Sequence, residues 1–250
     1  MIALTVTIVC ATALVVLFRT HAQGLKKQHA IRRVTTGTEK PSVPIQEEAS
    51  GPPISAPQNM NEADLSEVNR AYRIADMHFA RGDFEEAEKW FIKVLARHED
   101  HPEALNRLGV IYIQQGNPRR AEILYQKLFT VTQKEPAYYA NFGRCLYNQG
   151  HLHEALEAYE NAVKLDATRA TRFVSIGQIY YEQKEYIKAL AYFLKALDLD
   201  PQNIEYLSIT AELAKEVGDF ERAQRSLKKI LTLDPYNEEV KKKIDELARA

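Results

Sequence analysis

The sequence predicts an all-α chain made by repeating one helix-turn-helix unit. Three observations predict it. Large and small apolar residues recur with a 34-residue period, a glycine recurs where each unit must reverse direction, and one alanine stands at the same place in every copy. The stretch from Pro136 to Arg169, PAYYANFGRCLYNQGHLHEALEAYENAVKLDATR, displays the unit most fully.

Within that stretch Tyr139, Phe142, Leu146 and Tyr147 follow one another at helical spacing and predict a first helix. Gly143 sits inside the run, where a second backbone must come close. Gly150 then interrupts at a place where a reversing chain can use a residue free of Cβ. Leu152, Ala155, Leu156, Tyr159, Ala162 and Val163 resume the apolar spacing and predict a second helix, antiparallel to the first.

The same register, laid along the chain, gives five copies without insertions at residues 68–101, 102–135, 136–169, 170–203 and 204–237. The close-approach pair reads Ile74-Ala75, Leu108-Gly109, Phe142-Gly143, Ile176-Gly177 and Thr210-Ala211, and the turn holds Gly82, Gly116, Gly150, Lys184 and Gly218. The recurring alanine is Ala87, Ala121, Ala155, Ala189 and Ala223. Pro102 and Pro136 open first helices, while the Asp-Pro pairs at 200–201 and 234–235 close second ones. Residues 238–250 read as a final amphipathic helix with Val240, Ile244 and Leu247 on one face, a cap that spares the last repeat an apolar face in water. The domain is expected to run from 64 to 250.

Ahead of the repeats the composition changes twice. Residues 2–18, IALTVTIVCATALVVLF, carry no charge and would span roughly 26 Å as a helix, near the lower limit for a bilayer core. No basic region precedes them, as a cleaved signal peptide would require, so residues 1–20 are expected to be an uncleaved transmembrane anchor. Arg19, Lys26, Lys27, Arg32 and Arg33 follow, and basic flanks stay inside, which places the repeats in the cytoplasm of a single-pass membrane protein. Residues 21–63 continue as a tether, basic and then rich in proline and serine. Its stretch from Thr35 to Asn61 holds five prolines and no aromatic residue, and as a coil would span about 30 Å.

The chemistry that is missing narrows the function. No Gly-rich phosphate loop, Gly-x-Ser-x-Gly elbow or Cys-x-x-Cys pair occurs, so an enzyme is not expected, nor a cofactor or small-molecule substrate. A formal charge of -1 points to no nucleic acid. Cys10 and Cys145 are too few for a disulfide framework or a zinc ribbon and read as packing residues. His98 and His101 flank two acids but fall on a connection between repeats and read as a polar surface turn. His151 and His153, two apart, cannot share a helix face.

The spacing of Leu108-Gly109, Phe142-Gly143, Ala155, Tyr159 and Ala162 resembles the tetratricopeptide repeat, whose pattern of 34 residues runs W-x2-L-G-x2-Y, A-x3-F, A and P. The resemblance implies a right-handed α-solenoid whose concave wall, made by the first helix of each repeat, binds a protein or peptide. Carried over by register, that groove comprises Tyr72, Asn106, Val110, Ile113, Asn141, Arg144, Tyr147, Gln178 and Tyr181. One subfamily grips the C-terminal carboxylate of chaperones with a set of Lys, Arg and Asn residues. Here the matching positions are Tyr72, Asp76, Arg107, Ala137 and Asn141, which do not reproduce that set. A membrane-tethered interaction scaffold is therefore the expected function. The alternatives are a regulatory accessory subunit of a membrane-bound enzyme complex and an extracytoplasmic envelope-assembly protein of the same family.

Overall fold

A computed structural model describes residues 61–248. Among these residues every regular element is an α-helix, and there are eleven. They fall into two units. The larger, within residues 44–201, holds α1 (Glu62–Ala80), α2 (Phe84–Arg97), α3 (Pro102–Gln114), α4 (Pro118–Val131), α5 (Pro136–Asn148), α6 (Leu152–Leu165), α7 (Ala170–Glu182) and α8 (Tyr186–Leu199). The smaller, from residue 202 onward, holds α9 (Ile204–Glu216), α10 (Phe220–Leu233) and α11 (Glu238–Leu247). The expected anchor at 1–20 and the tether up to residue 60 lie outside the described residues. Among those described, no helix is long and apolar enough to cross a membrane.

Local chemistry sets the helix ends. Asn61 accepts from the Asp64 amide and starts α1 six residues ahead of Val68, where the register begins, because a good N-cap satisfies a donor that the helix itself leaves orphaned. Proline opens α3, α4 and α5, where its missing N–H costs nothing. After α1, α3, α5 and α9 the chain reverses through a glycine with φ between 75 and 82°. After α7 the same left-handed turn is made by Lys184, at φ 60°.

In the second, third and fourth repeats the two helices touch where a glycine meets an aromatic ring. A Cβ built on Gly143 would stand 3.0 Å from the ring of Tyr159, so the ring occupies the space that a side chain would take. Gly109 against Tyr125 and Gly177 against Phe193 repeat the contact. The recurring alanines Ala87, Ala121, Ala155 and Ala189 are all fully buried in the larger unit. Burying rings such as Phe91 and Tyr125 contributes about 1.5–3 kcal/mol each, which an isolated helix hairpin could not collect. In the smaller unit Leu213, Ala214, Ala223 and Ile230 are among the most deeply buried residues, and α11 adds Val240, with Ile244 and Leu247 half-buried.

Candidate functional site

The first helices of the larger unit, α1, α3, α5 and α7, are tied in succession by side chains of the expected groove register. Between α1 and α3, Arg107 Nη2 lies 3.3 Å from Asp76 Oδ1, and its guanidinium stands 4.6 Å over the Phe79 ring. Between α3 and α5, Asn141 Nδ2 donates to Asn106 Oδ1 at 3.0 Å. Between α5 and α7, the Tyr147 hydroxyl donates to Glu182 and accepts from Gln178 Nε2 at 3.2 Å. These links define one face shared by four helices.

The face is more deeply packed than a peptide groove read from the sequence. Asn106 and Gln178 are 1% and 3% exposed, and Val110 and Ile113 belong to the apolar core beneath. Asn141 is buried as well, while Tyr72, Arg144, Tyr147 and Tyr181 are half-buried and reach the surface. Tyr181 turns its ring toward Tyr186 at a centroid distance of 5.8 Å. Asn106 also accepts from the Tyr125 hydroxyl at 3.4 Å, so a second-helix side chain secures it from behind.

One residue assigned to a surface turn is not on the surface. His101 is fully buried. Its Nδ1 accepts from the Ala104 amide at 3.2 Å as the N-cap of α3, and its ring stacks on Tyr72 at 4.9 Å. Burial, helped by the neighbouring His98, pushes its pKa down to about 4 and holds the imidazole neutral. Glu103 lies 3.5 Å away and hydrogen-bonds Tyr138, and burial pushes its carboxyl upward. Sequence reasoning missed this cluster because a histidine that follows two acids ordinarily faces water. The only available signal was its place one residue before Pro102, which is an N-cap position.

Arg144 is the other departure. Its Nε and Nη2 are buried without a hydrogen-bond partner. Its charge favours ionisation of the Tyr125 and Tyr159 hydroxyls, yet burial outweighs it, raising the Tyr125 pKa and pushing that of Tyr159 up to about 12. Both hydroxyls therefore stay neutral beside the guanidinium at ordinary pH.

A face of this kind, carried by paired helices at a 34-residue period, has a family attached to it. Tetratricopeptide repeat profiles match residues 67–134 and 141–204, together more than half of the chain. The chain belongs to the tetratricopeptide repeat family. Tetratricopeptide repeat proteins are protein-interaction scaffolds. Among curated proteins no relative matches. Solved structures share the fold at low identity. A crystal structure of MamA is 23% identical, with a TM-score of 0.60 over 66% of this chain and 90% of that one. Pseudomonas aeruginosa pilF is 20% identical, with a TM-score of 0.61 over 68% and 78%. YrrB, described as a tetratricopeptide repeat protein with an unusual peptide-binding site, is 16% identical, with a TM-score of 0.58 over 72% and 96%.

Proposed function

We propose that this chain is a non-enzymatic, membrane-tethered scaffold that holds a segment of a partner protein on the face shared by α1, α3, α5 and α7. The observation that carries the reading is the composition of that face. Half-buried tyrosines and an arginine stand over a base in which Asn141 is bonded to Asn106 and Gln178 to the Tyr147 hydroxyl, so aromatic area and hydrogen-bonding groups reach the surface from fixed positions. Such groups suit an extended peptide or a partner helix, because rings supply contact area and polar groups pair with its backbone. YrrB, with its peptide-binding site, supports the same use of the fold. Tethering rests on the uncharged run at 2–18 and the basic residues that follow it, which also put the repeats on the cytoplasmic side.

Photo-cross-linking in the full chain tests the face. A photoreactive residue at Asn69 or Asn148, both exposed and in the groove register, should trap one partner band, whereas the same residue at Glu157 or Lys164 on α6 should not. Equal trapping from both sets overturns the face assignment. Alkaline extraction of membranes should leave the full chain in the pellet and release a chain lacking residues 2–18. Release of both overturns the tether.

A further inference from the structure

The junction of α1 with α3 and the junction of α5 with α7 occupy the same register, two periods apart, and are filled with different chemistry. At the first, Asp76 of α1 faces Arg107 of α3 at 3.3 Å. Two periods on, the place of Asp76 is taken by Arg144 and the place of Arg107 by Ser175. The acid has no counterpart. Ser175 donates its hydroxyl to the Thr171 carbonyl at 3.0 Å and brings no charge. The two nitrogens of Arg144 left without a partner, Nε and Nη2, lie on one edge of the guanidinium and direct their N–H bonds in parallel.

We propose that this edge receives an aspartate or glutamate side chain of the partner segment; the proposal rests on the reading that the shared face binds a peptide. A carboxylate offers two oxygens at the spacing of that N–H pair, and a buried guanidinium edge without an anion is costly to maintain. Among the described residues no carboxylate is bonded to that edge. Tyr125 and Tyr159 stay protonated, burial pushes the Cys145 thiol up to about 12, and Glu182 is held by Tyr147. The other buried arginines with acids nearby, Arg107 and Arg172, stand 3.3 Å from Asp76 and 2.8 Å from Asp166. The receptor takes a side chain rather than a chain end because α5 is flanked on this face by α3 and α7, so a segment crossing Arg144 continues past it on both sides. In the free chain the edge is covered while the rest of the residue reaches the surface, and rotation about the long side-chain stem uncovers it.

The test uses the full chain in mild detergent on an array of random-sequence peptides, displayed once with amidated and once with free C-termini. The expected result is a bound pool enriched in Asp and Glu to the same degree in both displays. Arg144→Gln should weaken the best acidic peptide about tenfold or more and abolish the enrichment, whereas Arg144→Lys keeps part of it. Ser175→Asp, which installs the absent acid inside the protein, should cause the same loss. Helical circular dichroism of each variant certifies folding. A pool without acidic enrichment, or enrichment that survives Arg144→Gln unchanged, overturns the proposal and leaves peptide binding standing. Enrichment confined to free C-termini overturns the side-chain assignment in favour of a terminal carboxylate. Retention of no peptide by the wild-type chain removes the peptide-binding reading and this proposal with it.

Discussion

Where α1 meets α3, the guanidinium is settled against an acid, although Nε2 of His101 and Oε2 of Glu103 are buried without a hydrogen-bond partner. Arg107 lies against Asp76 and over Phe79, His101 is neutral under Tyr72, and Glu103 is hydrogen-bonded to Tyr138. Where α5 meets α7 the amide and phenol groups are just as well joined, through Tyr147, Gln178 and Glu182, yet a guanidinium edge is left over. The backbone geometry of the two junctions is the same repeat, so the contrast comes from side chains alone. The contrast lies in the guanidinium, settled against an acid of the chain at one junction and unfinished at the other, where we propose that a partner's carboxylate enters.

The settled junction should be the acid-sensitive one. His101 has a folded pKa of about 4 against about 6.5 for an unperturbed histidine, so between those values the unfolded chain binds the extra proton and stability falls as pH falls. His98, also lowered by burial, acts in the same direction. Glu103 opposes them, because a raised carboxyl pKa favours the folded state as it protonates. The net expectation is a loss of about 2 kcal/mol between pH 7 and pH 4.5, read by urea unfolding. His101→Asn keeps an N-cap acceptor and should flatten that dependence. An equally steep loss in the variant would show that the junction is not its source.

A matched pair of truncations addresses the contrast directly. Arg107→Met removes a guanidinium that is paired and stacked, and should cost about 2 kcal/mol in urea unfolding. Arg144→Met removes an edge that has no partner, replaces it with apolar bulk, and should be close to neutral or stabilising by about 1 kcal/mol. Equal losses would erase the distinction between the junctions.

What could be read in advance follows from how the information is stored. Helix pairs, turns and the fully buried alanines from Ala87 to Ala223 are written as periodic spacing, and a period survives without knowledge of any contact. The family was legible for the same reason. Contacts such as Asn106 with Asn141, or Tyr147 with Glu182, join residues 35 apart, and their partners depend on which side chain happens to stand across the junction. His101 shows the limit most clearly. Before it in sequence stand Glu99 and Asp100, around it in space stand Tyr72, His98 and Glu103, and only the second set decides its burial.

The smallest expected effect concerns the turn that ends α7, the helix on the unfinished side. The turns after α1, α3 and α5, on the settled side and at the centre, use Gly82, Gly116 and Gly150 at positive φ, but the turn after α7 forces Lys184 to φ 60°. A residue with a Cβ there bears a left-handed penalty of roughly 1–2 kcal/mol, while glycine escapes it at an entropic cost of roughly 0.5–1 kcal/mol. Lys184→Gly should therefore stabilise the fold by about 0.5 kcal/mol, seen as a small rise in Tm. Gly116→Ala, the reverse exchange at the turn after α3, should lose about 1 kcal/mol by the same reasoning, since nothing lies within 4 Å of a Cβ built there and backbone conformation alone is at stake. Neither change touches a polar group of the shared face, so peptide binding should be unaltered in both. If Lys184→Gly lowers Tm instead, the Lys184 side chain contributes more to the α7 end than its backbone costs, and the unfinished junction is held partly from its turn.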